Sequence, residues 1–83
     1  MTISRTTKID KILQNVMKAT YDPEVDVLRI ILRDTPVQES DEDKPGVILD
    51  YAADGELVGV EILNASTRTD NPRSVDFAVL APA

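Results

Sequence analysis

The sequence has no cysteine, no histidine and no tryptophan among its 83 residues. The lack of cysteine excludes a disulfide framework, and the lack of both cysteine and histidine excludes a zinc site built from those ligands. Nucleophilic catalysis by a Ser-His or Cys-His arrangement is excluded as well. Paired carboxylates are the common acid–base chemistry that remains open to such a chain.

Long apolar runs are also missing, and no run could span a membrane. Polar residues interrupt any signal-peptide core near the N-terminus, so we expect a cytoplasmic protein. The length allows one domain, residues 1–83, which buries a limited core. Of the 23 Ile, Leu and Val residues, 16 are β-branched, which favours strands.

Charge is distributed unevenly along the chain, whose net charge is −6. Residues 1–20 carry a net +3, residues 21–63 a net −9, and residues 64–83 are neutral overall. An acidic body repels phosphate backbones, so nucleic-acid binding is disfavoured. The composition instead favours a protein partner, and a basic one in particular.

Residues 7–16 have the pattern of an amphipathic helix. Thr7 and Asp10 have the spacing of a capping box. Apolar side chains then recur at helical spacing and form one stripe: Ile9, Ile12, Leu13, Val16 and Met17. We expect the protein's own sheet or a second copy to cover this stripe.

Strand patterns follow the predicted helix. Residues 17–21 and 27–32 predict two strands joined by a turn at Asp22-Pro23-Glu24. Residues 46–63 predict a hairpin around Asp54-Gly55, because both positions of a two-residue loop accept positive φ. This register keeps the apolar side chains on one face, with the pairs Val47–Ile62, Leu49–Val60 and Tyr51–Val58.

Two polar segments predict loops, the acidic residues 34–45 and the residues 64–72. Residues 74–80 alternate, with Val75, Phe77 and Val79 on one side, and predict a last, edge strand. The expected fold class is therefore α+β. It consists of a small, mainly antiparallel β-meander of about four to five strands and an N-terminal helix at residues 7–16.

Several motifs occur in a familiar order: Tyr21-Asp22-Pro23-Glu24 with Asp26 and Leu28, Pro45-Gly46-Val47, Asp50-Tyr51, Asp54-Gly55 and Val58-Gly59-Val60-Glu61-Ile62-Leu63. Over residues 17–66 this pattern resembles the small prokaryotic proteins grouped as domain of unknown function family 2283. The resemblance implies a small antiparallel sheet, and it transfers no catalytic residues because the family carries no established activity. Some members resemble neighbours of toxin-like proteins, which implies an antitoxin-like role.

The chain departs from the family pattern in two places. Arg29 stands where an aromatic residue is expected, so we expect this face to pack differently. Met17-Lys18 is similar to the usual beginning of a member, so residues 1–16 form an extension, either an added helix or the product of a wrongly chosen start codon. The predicted organisation is a helical extension at 1–16, a family-like core at 17–66, and a loop with a C-terminal edge strand at 67–83.

Two groups of acidic residues are candidates for a site. Asp22, Glu24 and Asp26 lie together at the first turn, where turn formation is the simpler explanation and cation binding the alternative. Asp50 and Glu61 share the mixed face of the hairpin, where Arg29 or Arg33 could pair with them.

The sequence therefore predicts a non-catalytic protein-interaction module, with no catalytic residue, no cofactor and no metal site. Its most concrete form is an antitoxin-like inhibitor of a basic partner. The alternative is a self-assembling structural homo-oligomer, followed by a small carboxylate-based enzyme or a cation-binding protein. The candidate interaction surface consists of Ile9, Ile12, Leu13, Val16, Arg29, Asp50 and Glu61.

Overall fold

The computed structural model describes residues 16–82. This part of the chain contains five strands and one short helix. In chain order they are β1 (Lys18–Asp22), β2 (Val27–Ile31), β3 (Glu39–Lys44), β4 (Val47–Tyr51), β5 (Leu57–Leu63) and α1 (Ala65–Arg68).

The five strands form one antiparallel sheet in the order β1-β2-β5-β4-β3. A meander would place β3 beside β2, so the predicted meander is wrong. Instead, β5 lies between the β1–β2 hairpin and β4, and the chain crosses from β2 to the far edge before it returns. The apolar sequence of β5 explains this central position, because a central strand is covered by neighbours on both sides.

The predicted β4–β5 hairpin is confirmed for most of its length. Val47 lies opposite Ile62 and Leu49 opposite Val60. Near the turn the register shifts, so that Tyr51 pairs with Leu57 and not with Val58. The Asp54-Gly55 turn uses a positive φ of 84° at Gly55, which glycine adopts without a steric cost.

The acidic segment 34–45 contains a strand where the sequence analysis predicted only a loop. β3 pairs with β4 along one side, and all six of its residues are exposed. Charged residues are common on edge strands because they discourage pairing with other chains. Because the side chains of β3 are not buried, its sequence has no hydrophobic pattern from which a strand could be predicted.

The predicted α+β class with an N-terminal helix is wrong. The only helix among residues 16–82 is the four-residue α1, near the C-terminal end of the sheet. The predicted helix at 7–16 lies outside the described residues except for Val16, which occupies a bend. No helix of the described chain has the length and apolarity that crossing a bilayer requires.

The predicted C-terminal edge strand is also wrong. Residues 74–82 form no regular structure and pair with no strand of the sheet. Val75, Phe77 and Val79 keep the alternation that suggested a strand, but all three are exposed. Alternation alone does not make a strand, because each strand also needs a neighbour to complete its hydrogen bonds.

The core of the described chain is small. Its buried apolar residues are Leu28, Ala52, Val58 and Ala65. The register places Leu28 opposite Ile62, on the face of the sheet that carries most of the aliphatic side chains. The division of the chain into an extension, a core and a C-terminal segment stays a prediction.

Candidate functional site

Asp26 ties the β1–β2 turn to α1. Its Oδ1 accepts hydrogen bonds from the Tyr21 hydroxyl at 2.7 Å and the Ser66 backbone N–H at 2.9 Å. Its Oδ2 accepts the Ser66 hydroxyl at 2.7 Å, and its backbone carbonyl accepts the Ala65 N–H at 3.0 Å. The residue has a φ of 58°, which aspartate tolerates better than most residues. We call this group, Tyr21, Asp26 and Ser66, the Asp26 clamp.

The clamp shifts the pKa of two of its members. The pKa of Asp26 is lowered, first by the Ser66 hydroxyl and then by the Tyr21 hydroxyl, because both donate to the ionised carboxylate. The pKa of Tyr21 is raised, chiefly because its hydroxyl proton is held by Asp26. The arrangement therefore stabilises Asp26 as an ionised carboxylate.

The acidic cluster predicted at this turn is explained by turn chemistry. Asp22 Oδ1 accepts the Glu24 N–H at 2.9 Å, which is an Asx turn. Asp26 points into the clamp. Residues 16–82 contain no group of three or more carboxylates placed to hold a metal ion.

α1 is fastened at its other end to the β3–β4 turn. Arg68 Nη2 donates to the Pro45 carbonyl at 2.5 Å. Gly46 is buried beneath the guanidinium, and a Cβ on Gly46 would lie 2.8 Å from Arg68 Nη2. The short helix therefore bridges the two turns at one end of the sheet.

A second carboxylate group lies at the centre of the sheet, on the face opposite Leu28. Asp50 is 1% exposed, and its Oδ1 accepts the Ser40 hydroxyl at 2.6 Å. Its Oδ2 is buried and has no hydrogen-bond donor among the described residues. Glu61 neighbours Asp50 on this face, and Arg29 lies directly opposite Glu61. We call Asp50 and Glu61 the carboxyl pair.

The carboxyl pair raises the pKa of Glu61. The largest cause is that a protonated Glu61 can donate a hydrogen bond to Asp50, followed by burial and by the negative charge of Asp50, while Arg29 acts in the opposite direction. Arg33, which the sequence also offered as a partner, lies 3.7 Å from Asp54 instead. Both groups of that ion pair are well exposed, so it contributes little to stability.

β3, the strand at one edge of the sheet, is the most highly charged of the five strands. It carries four carboxylates and one lysine over six residues, Glu39, Ser40, Asp41, Glu42, Asp43 and Lys44. β3 pairs with β4 on one side and forms the edge of the sheet on the other. An exposed strand edge offers backbone donors and acceptors to an added strand.

An apolar groove lies on the Leu28 face, between the sheet and the C-terminal segment. The stretch beside β1 has a volume of about 460 Å³. The stretch beside β1 is lined mainly by apolar side chains: Val16, Met17, Ala19, Leu28, Ile30, Val75 and Phe77, with Lys18. Phe77, although it lines this stretch, is 79% exposed, and Leu80 is 85% exposed. Arg73, which lies 5.6 Å from the ring centre of Tyr21, holds the start of this segment against the clamp.

The predicted interaction surface is only partly brought together. Arg29, Asp50 and Glu61 do lie together, but Asp50 is buried and offers no contact surface. Val16 lies at the groove, on the other face of the sheet, and is 56% exposed. The remaining predicted residues, Ile9, Ile12 and Leu13, lie outside the described residues.

Sequence reasoning missed Ser40, Ser66 and the β3 edge. Ser66 is 40 residues from Asp26, and nothing in local spacing connects them. Ser40 was hidden in the acidic segment that was predicted to be a loop. Its position opposite Asp50 becomes visible only when β3 is paired with β4.

The sequence pattern of the family described as "Protein of unknown function (DUF2283)" matches residues 18–66. This stretch is more than half of the chain. The chain belongs to the DUF2283 family. The resemblance noted from the motifs is thereby confirmed.

The part that matches DUF2283 begins at β1 and ends at Ser66, which donates both a backbone and a side-chain hydrogen bond to Asp26. It therefore includes all five strands, the Asp26 clamp and the carboxyl pair. No curated protein and no solved structure matches the chain.

Proposed function

We propose that this DUF2283 protein is a non-catalytic interaction module that binds a basic, extended segment of a partner protein along the free edge of β3. The observation that carries the proposal is this edge itself. It is six residues long, all six residues are exposed, and it carries a net charge of −3. In its most concrete form the module is an antitoxin-like inhibitor of a basic partner.

The chemistry of the edge supports strand addition. The outer backbone groups of β3 would give a partner strand its hydrogen bonds, and the carboxylates would select lysine and arginine side chains. The net charge of −6 adds long-range attraction for a basic partner, which raises the association rate at low salt. Another copy of the chain would be repelled by the same edge.

The test compares two variants that change the net charge equally. Asp41→Lys/Asp43→Lys reverses charge on β3, whereas Glu24→Lys/Glu56→Lys reverses it at exposed turn positions. Each tagged protein is used to capture partners from a lysate of its host, which are identified by mass spectrometry. Circular dichroism and thermal unfolding verify that each variant is folded.

We expect a basic protein, at equal stoichiometry, on the unmodified protein and on the turn variant but not on the β3 variant. Its retention should fall as salt rises, because exposed charges are screened. Equal capture by the β3 variant, or a clean preparation without a partner from all three proteins, would contradict the proposal.

The alternative function is a self-assembling homo-oligomer, and the C-terminal segment favours it. Val75, Phe77, Val79 and Leu80 are exposed apolar residues of this segment, and Val75 and Phe77 line the groove. Sedimentation at several protein concentrations separates the two functions. A dimer that is insensitive to salt and lost in Phe77→Asp would support self-assembly, whereas a monomer at all concentrations would exclude it.

A further inference from the structure

Asp50 is the one buried charged residue of the described chain, and its carboxyl group is only half satisfied. It lies on β4, between β5 and β3. The Ser40 hydroxyl donates a hydrogen bond to Oδ1 at 2.6 Å, while Oδ2 is buried and has no hydrogen-bond donor among residues 16–82. Leaving a buried carboxylate oxygen without a hydrogen bond is costly, so this atom requires an explanation.

Glu61 provides the explanation. Asp50 lies opposite Gly59, and Glu61 is two residues further along β5 on the same face. Gly59, directly opposite Asp50, has no side chain on this face. A Cβ on Gly59 would also lie 2.8 Å from the carbonyl oxygen of Ile30, which makes glycine the residue that fits here.

Few charges face the carboxyl pair from the neighbouring strands. From β2, Arg29 lies opposite Glu61. From β3, Glu42 lies opposite Ile48 on the same face, but its Oε2 accepts the Gly46 N–H at 2.9 Å. From β1, Lys18 and Thr20 lie beyond β2, opposite Ile31 and Arg29. Arg29 is therefore the cation that β2 places against Glu61.

We propose that Asp50 and Glu61 share a single proton in the folded protein and act as a pH-sensitive lock at the centre of the sheet. The proton resides on the Glu61 carboxyl group, which donates it to Asp50 Oδ2. All polar atoms of Asp50 then have partners. When the proton leaves to solvent, two adjacent carboxylates remain, and Oδ2 loses its donor.

The lock opens as pH rises. Because the pKa of Glu61 is raised above its ordinary 4.5, its contribution to stability is complete below pH 4.5 and is lost as pH rises through the raised value. One proton is released, so the unfolding equilibrium constant increases by at most about tenfold per pH unit in that window. β3 should loosen together with β4, because β4 is its only neighbour in the sheet.

The direct test follows the side-chain carboxyl carbon of Glu61 by NMR through a pH titration of the full chain. Urea unfolding over the same pH range is compared between the unmodified protein, Glu61→Gln and the control Glu56→Gln. In Glu61→Gln the new side-chain amide donates to Asp50 at every pH. Glu56 is an exposed glutamate of the β4–β5 turn.

We expect Glu61 to titrate above pH 4.5, and the pH-dependent loss of stability to disappear in Glu61→Gln but not in Glu56→Gln. Titration of Glu61 at or below pH 4.5 would overturn the proposal. Equal pH slopes in all three proteins would overturn it as well. If Glu61→Gln does not fold, the carboxyl titration of the unmodified protein decides alone.

Discussion

Asp26 and Asp50 are two carboxylates of one sheet in opposite surroundings. Asp26 receives three hydrogen bonds on its two side-chain oxygens, from Tyr21 and Ser66, at the open end of the sheet. Asp50 receives one, from Ser40, and its second oxygen meets another acid. An acid surrounded by donors is stabilised as an anion, whereas an acid beside an acid favours a retained proton. The hydrogen-bond donors around Asp26 therefore stabilise its charge, whereas Asp50 lies beside a second acid, Glu61.

The largest expected effect comes from filling the space beside the carboxyl pair. Gly59→Val would place a Cβ at 2.8 Å from the Ile30 carbonyl oxygen and would push β2 and β5 apart. Overpacking of this kind costs about 1–3 kcal/mol of unfolding free energy. Urea unfolding measures the loss. A variant as stable as the unmodified protein would mean that the two central strands are not held this closely.

Replacement by asparagine should destabilise the protein at Asp26 but not at Asp50. Asp26→Asn keeps a residue that accepts positive φ but removes the charge that three donors stabilise, so the melting temperature at pH 7 should fall. In Asp50→Asn the new side chain can still accept a hydrogen bond from Ser40 and can donate one to Glu61. The unfolding free energy of this variant at pH 8 should therefore equal that of the unmodified protein or exceed it by about 1 kcal/mol. A fall in both variants would contradict this contrast.

The two regions should also respond to pH in opposite directions. The pKa of Asp26 is lowered from its ordinary 3.8, so its contribution to stability is present above pH 3.8 and is lost as pH falls through the lower, folded value. Acid should therefore weaken the attachment of α1 to Asp26, while Glu61 keeps its proton and its hydrogen bond to Asp50. Amide signals of Ser66 and Asp50 followed by NMR from pH 7 to 2 would separate the two events. Simultaneous loss of both signals would contradict their independence.

The smallest expected effect is that of Tyr21→Phe. The ring stays in place near Arg73, and Asp26 keeps both hydrogen bonds from Ser66. The melting temperature should fall less than in Asp26→Asn. A fall as large as that of Asp26→Asn would show that the Tyr21 hydroxyl, more than Ser66, maintains the clamp.

The sequence predicted best where local pattern and tertiary pairing agree. β2 and most of the β4–β5 register followed from alternation and from the Asp54-Gly55 turn. β3 did not, because a strand with no buried face carries no hydrophobic pattern. The opposite error occurred at residues 74–80, where alternating apolar residues predicted a strand but the segment pairs with no strand of the sheet.

The candidate sites followed the same rule. The proximity of Asp50, Glu61 and Arg29 could be predicted from the hairpin, because the alternation places them on one face. The burial of Asp50 could not be predicted, since β3, which pairs with β4 and places Ser40 against Asp50, was not predicted as a strand. The Asp26 clamp could not be predicted from the sequence, because Asp26 and Ser66 come together only when β2 pairs with β5.

The strand order has a consequence for how the chain folds. β1–β2 and β3–β4–β5 are each continuous in sequence, and each can form through local hairpins. The pairing of β2 with β5 joins these two halves across the intervening chain, and such distant contacts are slow to form because the loop must close first. We therefore expect the joining of two preformed hairpin units to limit the folding rate, with the contact between Asp26 and Ser66 forming only after that step.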